Sequence, residues 1–94
     1  MGTIVEKSVS VMETLSDMIR SRIINMGISS VSPNDTFGGT YHFDPYDFIE
    51  FVVDCEEEFK INMDSLTKNA FDGSFNNMTL NEMCSFIESL KKNE

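Results

Sequence analysis

Residues 44–58, D-P-Y-D-F-I-E-F-V-V-D-C-E-E-E, constrain the fold more than any other part of the chain. Asp44 is a good N-cap, because its carboxylate can accept from the orphan N–H groups of a first helical turn. Pro45 follows at the first helical position, where its missing N–H is no loss and its fixed φ suits the helix. Asp47 can reach back toward the cap as a short-armed capping box. Phe48, Val52, Cys55 and Phe59 then recur at helical spacing, with Ile49 and Val53 widening the stripe. That periodicity predicts one buried face. Asp47, Glu50, Asp54 and Glu57 recur on another side.

The second face is acidic without relief. The window holds seven acids and no base in fifteen residues, out of 16 acids and 7 bases in the chain. A purely structural surface helix mixes signs and is stabilised by i,i+4 pairs. Acids near the N-terminus suit the helix dipole, whereas Glu56, Glu57 and Glu58 stand near its negative end, where stability alone would not select them. The expectation is a docking surface for basic partners made by Asp44, Asp47, Glu50, Asp54 and Glu57, acting mainly on encounter rate and selectivity.

The rest of the chain supplies a single domain, 1–94. A net charge of −9 disfavours nucleic acid and anionic membrane surfaces, which are bound by Lys and Arg. No apolar run approaches the roughly 20 residues that span a bilayer. No basic start and apolar core mark a secretory signal, so a cytoplasmic location is expected. Cys55 and Cys84 fall within apolar stripes and read as buried free thiols rather than as a disulfide or metal pair.

Taken in order, residues 10–25 form the first helix, opened by the capping box Ser10-x-x-Glu13 and closed by Gly27. Residues 28–43 form a long loop with a turn at 32–35, pinned to the core by Val31, Phe37, Tyr41 and Phe43. Gly38-Gly39 is not a phosphate loop, since it lacks the fixed glycine spacing and the Lys-Ser/Thr pair. His42, the single histidine, has no cysteine or second histidine beside it and reads as a solvated loop residue. Residues 64–70 form a short third helix with Asp64 as cap and Leu66 turned inward. Residues 71–78 form a polar turn region. Its Asp72-Gly73-Ser74 start does not make a calcium loop, because Asn77 stands where glycine is required and Met83 where glutamate is required. Thr79-x-x-Glu82 caps a last helix over 80–91. With no strand signal, the expected fold is all-α, an irregular four-helix bundle with three longer helices and a short third one.

This pattern resembles the acyl carrier protein family. The resemblance rests on S-P-N-D-T-F ahead of D-P-Y-D-F-I-E-F-V-V-D-C-E-E-E-F-K-I, then the short third helix and T-L-N-E-M-C-S-F-I, and it covers nearly the whole chain. It implies an acidic second helix that docks on basic patches of biosynthetic enzymes (a synthase, ligase or transferase of fatty acid or polyketide type). It also implies acyl groups carried as thioesters on a phosphopantetheine arm. The family attaches that arm to the serine of Asp-Ser-Leu, and here the motif reads Asp44-Pro45-Tyr46. Pro45 has no side-chain heteroatom, so no phosphodiester can form there and no cofactor is expected. The family's Leu-Gly pair and small residue before Asp become Tyr41-His42-Phe43, which puts bulk where a modifying enzyme needs access.

Asp64-Ser65-Leu66 spells the attachment tripeptide, but too few residues follow Ser65 for three helices, and no acidic helix follows it. Thr40 and Tyr46 have hydroxyls without occupying the serine position. The leading expectation is therefore an armless, monomeric carrier-like docking module. One alternative is a working acyl or aminoacyl carrier with its arm on Ser65. Another is a non-covalent lipid or small-ligand binder exploiting eight phenylalanines and seven methionines. Catalysis is not expected: no nucleophile–base pair, metal cluster or phosphate loop can be assembled from the sequence.

Overall fold

Three of the helices begin where local side-chain chemistry starts them. In the computed structural model, which describes residues 10–28, 30–68 and 70–92, α1 spans Val11–Ile23, α2 Pro45–Phe59, α3 Asp64–Thr67 and α4 Leu80–Lys92. The Glu13 N–H donates to Ser10 Oγ at 3.0 Å and the Ser10 N–H to Glu13 Oε1 at 3.1 Å. The Glu82 N–H donates to Thr79 Oγ1 at 3.0 Å and the Thr79 N–H to Glu82 Oε1 at 2.9 Å. Each reciprocal pair satisfies two backbone donors that the helix cannot. α1 tightens into a 3₁₀ turn at Ile24–Met26 and ends on Gly27 in the left-handed region, φ 78°.

The third helix is shorter than the sequence suggests. α3 stops at Thr67, whose hydroxyl donates back to the Asp64 carbonyl at 3.0 Å, a local bond that competes with helix continuation. Two 3₁₀ turns follow, Ala70–Asp72 and Ser74–Asn77, where the sequence predicts only irregular turns. Asp64 is also not the cap. It is the first helical residue, after Met63, and its N–H donates to Asn62 Oδ1 at 2.9 Å.

The long loop is tied to the segment that leads into α4. The predicted turn is present, with the Asp35 N–H donating to the Ser32 carbonyl at 3.0 Å. Thr36 and Thr79 then form an isolated antiparallel bridge. The Phe37 N–H donates to the Met78 carbonyl and the Gly38 N–H to the Asn76 carbonyl, both at 3.1 Å. In return the carbonyls of Asp35 and Pro33 accept from the Leu80 and Asn81 N–H groups, both at 2.9 Å. Loop carbonyls thus occupy the exposed donors of the first turn of α4.

The core lies among these pieces. α1 contributes Leu15, Ile19 and Ile23; α2 contributes Phe48, Phe51, Val52 and Cys55; α4 contributes Leu80, Met83, Cys84 and Ile87. Phe37 is the loop's anchor, with ring centroids 5.5–5.9 Å from those of Tyr41, Phe43, Phe48 and Phe51. Phe75 stacks on Phe48 at 4.7 Å. On α2 the buried stripe widens toward Phe51 rather than Val53. At about 100° per residue Val53 lies roughly 140° round the helix from Phe48, and it is 41% exposed. Cys55 and Cys84 are buried free thiols, as expected. Among the described residues no helix is long and apolar enough to cross a membrane.

Candidate docking surface on the second helix

α2 carries the acids, and its two ends are fixed by some of them. The Asp47 N–H donates to Asp44 Oδ1 at 2.8 Å and the Asp44 N–H to Asp47 Oδ2 at 3.2 Å. These two predicted docking residues therefore form the capping box, and Asp47 is half-buried. At the other end Glu56 reaches past the helix, and its Oε2 accepts from the Met63 N–H at 2.6 Å. Glu56 near the negative end thus has a structural reason that the sequence reading missed: it satisfies a backbone donor in the turn after α2. Lys60, in the left-handed region at φ 59°, closes the helix with its N–H on the Glu56 carbonyl.

Between these ends, Glu50, Asp54, Glu57 and Glu58 are exposed. Their surroundings are not free of positive charge. Arg22, in the last turn of α1, places Nη2 2.8 Å from Asp54 Oδ2 and Nη1 3.6 Å from Glu50 Oε1. Its guanidinium also lies 5.9 Å from the Phe51 ring centroid, within cation–π range. Two of the five predicted docking acids thus share an internal cation, and only Glu57 among the five is held by neither a cap nor Arg22. An open cleft beside this ion pair is lined by Met18, Ser21, Arg22, Asp54, Glu57 and Glu58.

The face is not purely acidic either. Tyr46 and Val53 are exposed on it, and with Glu50 and Glu57 they make a single stripe at 4-3-4 spacing. The 4-3-4 spacing is present in the sequence, where Val53 also reads as part of the buried stripe.

Pro45 is the first residue of α2. The residues before it are not the obstruction that the sequence suggests. Tyr41 and Phe43 turn into the core, and only His42 is exposed, at φ 59°. The Tyr41 hydroxyl donates to Asp35 Oδ2 at 3.0 Å, and burial, followed by this bond, raises its pKa. Ser65 is exposed on α3, beyond the opposite end of α2. At 1.5 Å per residue, the eleven steps from Pro45 to Glu56 span about 16 Å of helix. An arm on Ser65 would therefore leave from a different helix than the one that carries the acidic face. Among the described residues, no three His, Cys, Asp or Glu side chains are grouped so as to hold a metal ion.

An all-helical, four-helix domain with an acidic second helix is what fold and face define. Compared with known proteins, the chain matches no family model, no curated sequence and no solved structure.

Proposed function

We propose that the protein is a carrier-like docking domain that works without a phosphopantetheine arm. It binds the basic surface of a biosynthetic enzyme through α2, either to hold that enzyme or to compete with an arm-bearing carrier. The observation that carries this reading is the exposed face with Glu50, Asp54, Glu57 and Glu58 and no base on its own helix, starting at a proline where the resemblance places the attachment serine. His42 adds support: a left-handed φ of 59° falls at the glycine position of the resemblance, and such a backbone favours glycine. The lipid-binding alternative has less behind it, because Phe37, Tyr41, Phe48 and Phe51 pack on one another and fill the interior between α2 and the loop.

The test is intact mass after incubation with coenzyme A and a broad-specificity phosphopantetheinyl transferase. The expected result is no change in the wild type and one added arm in Pro45→Ser. Under the docking reading, Glu57→Lys in the Pro45→Ser background should slow the transfer. An arm on the wild type, mapped to Ser65 or elsewhere, would overturn the armless reading. No arm on Pro45→Ser would remove the carrier likeness as a guide to function.

A further inference from the structure

Two large aromatic side chains stand exposed together at the start of α2. Tyr46 is 67% and Phe71 62% exposed, and their rings meet edge to face with centroids 5.3 Å apart. Phe71 comes from the 3₁₀ turn Ala70–Asp72, so the pair joins segments distant in sequence. Neither ring is among the buried core residues, which include Phe48 and Phe75 of neighbouring segments. The carboxylate on the same face as Tyr46 is Glu50, one turn along α2, whereas Asp47 and Asp72 accept from the Asp44 and Ser74 N–H groups.

We propose that the Tyr46–Phe71 pair is the anchor of the docking surface and that it selects arginine over lysine in a protein partner. The inference rests on the docking reading above and adds the chemistry of the group that docks. An aromatic face beside a carboxylate suits a guanidinium, which is planar and weakly hydrated and can lie on a ring while its N–H fork meets an acid. An ammonium is a compact, strongly hydrated charge without the planar fork, so it loses more hydration on a ring face and gains less there. Aromatic side chains ringed by polar groups are also the residues on which interface energy concentrates. The occupant that fits the surrounding charge is a basic segment with an arginine at its centre, rather than a second copy of this acidic chain.

The probes are an arginine-bearing amphipathic peptide and its lysine twin of identical length and charge, titrated into the full chain while Tyr46 and Phe71 ring resonances are followed by NMR. The arginine peptide should bind tighter by up to about fivefold, the upper bound set by an exposed cation–π contact, and should shift both rings. Tyr46→Ala and Phe71→Ala each remove that preference while leaving salt-dependent binding of both peptides. Both side chains are exposed, so the fold remains, and amide spectra check it. Equal, salt-dependent binding of the two peptides overturns the anchor and leaves the docking reading standing. Absence of salt-dependent binding by either peptide overturns both. Ring shifts that grow with protein concentration alone make the occupant a second copy and overturn the proposal.

Discussion

Arg22 and Asp54, 32 residues apart in the chain, are joined across α1 and α2 by a 2.8 Å ion pair. The Arg22 side chain is only 25% exposed and its guanidinium rests over Phe51, so its stem and charge are both used. The pair helps fix the acidic helix on the core, and it also neutralises part of the charge a basic partner would meet. The same side chain therefore acts in opposite directions on stability and on docking.

Arg22→Gln separates these effects. Losing a partly exposed pair should cost about 0.5–1 kcal/mol, seen as a lower midpoint in urea. Affinity for the arginine peptide should rise, with a steeper salt dependence, because Glu50 and Asp54 are released. Weaker binding in a variant that remains folded would mean that Arg22 organises the acids rather than screening them.

Glu56 and Glu57 are neighbours with different work. Glu56→Ala leaves the Met63 N–H without its carboxylate partner, and a half-buried orphan donor costs about 1–3 kcal/mol. Glu56→Gln keeps an acceptor and should recover part of the loss. Glu57→Ala should change stability by less than about 0.5 kcal/mol yet slow association with a basic partner. Urea unfolding and stopped-flow binding on the three variants check the division. Equal stability of Glu56→Ala and Glu57→Ala would deny the structural role of Glu56.

The parts of the fold legible in the sequence are those that depend on neighbours in the chain. The boxes Ser10/Glu13, Asp44/Asp47 and Thr79/Glu82 each close within three residues, and all three form. The aromatic residues of the long loop were also legible as core, because nothing else explains Phe37, Tyr41 and Phe43 in a polar segment. What required three dimensions was every pairing between distant segments. The Thr36–Thr79 bridge, the Arg22–Asp54 pair, the Met63 bond to Glu56 and the Tyr46–Phe71 contact leave no periodic trace. The docking face suffered most from this. The caps Asp44 and Asp47 were legible, but Glu50, Asp54, Glu56 and Glu57 look alike in sequence, whereas an arginine from α1 holds the first two and the turn after α2 holds Glu56.

Gly38 illustrates a residue whose reason is such a pairing. Its N–H donates to the Asn76 carbonyl, and a Cβ at this position would lie 2.7 Å from the Asn76 Cα and still closer to its carboxamide oxygen. The obstacle is backbone already committed to the stitch before α4, so it cannot simply move aside. Gly38→Ala should cost about 1–3 kcal/mol and loosen the start of α4, reported by faster amide exchange at Leu80 and Asn81. Native stability and exchange in Gly38→Ala would show that the close approach is not required.

Three buried titratable groups, Cys55, Cys84 and Tyr41, predict how the fold fails in alkali. Burial, then the charge of Asp54, pushes the Cys55 thiol up to about 12, with Arg22 opposing. The unfolded chain releases that proton near the ordinary thiol value of about 8.5. The folded state thus holds the proton more tightly. Its contribution is complete below about pH 8.5 and is lost progressively as pH rises toward the folded value. Cys84 is raised as well, chiefly by burial, and adds to the same limb. Tyr41 is raised by burial and its bond to Asp35, but its share begins only above the ordinary tyrosine value of about 10. Urea unfolding under reducing conditions from pH 8 upward should therefore show stability falling first through the thiols. Cys55→Ala should flatten the early part of the decline and Tyr41→Phe only the later part. A pH profile for Cys55→Ala parallel to that of the wild type would mean that the thiol titrates normally in the folded protein, and that α2 does not seal it in the core.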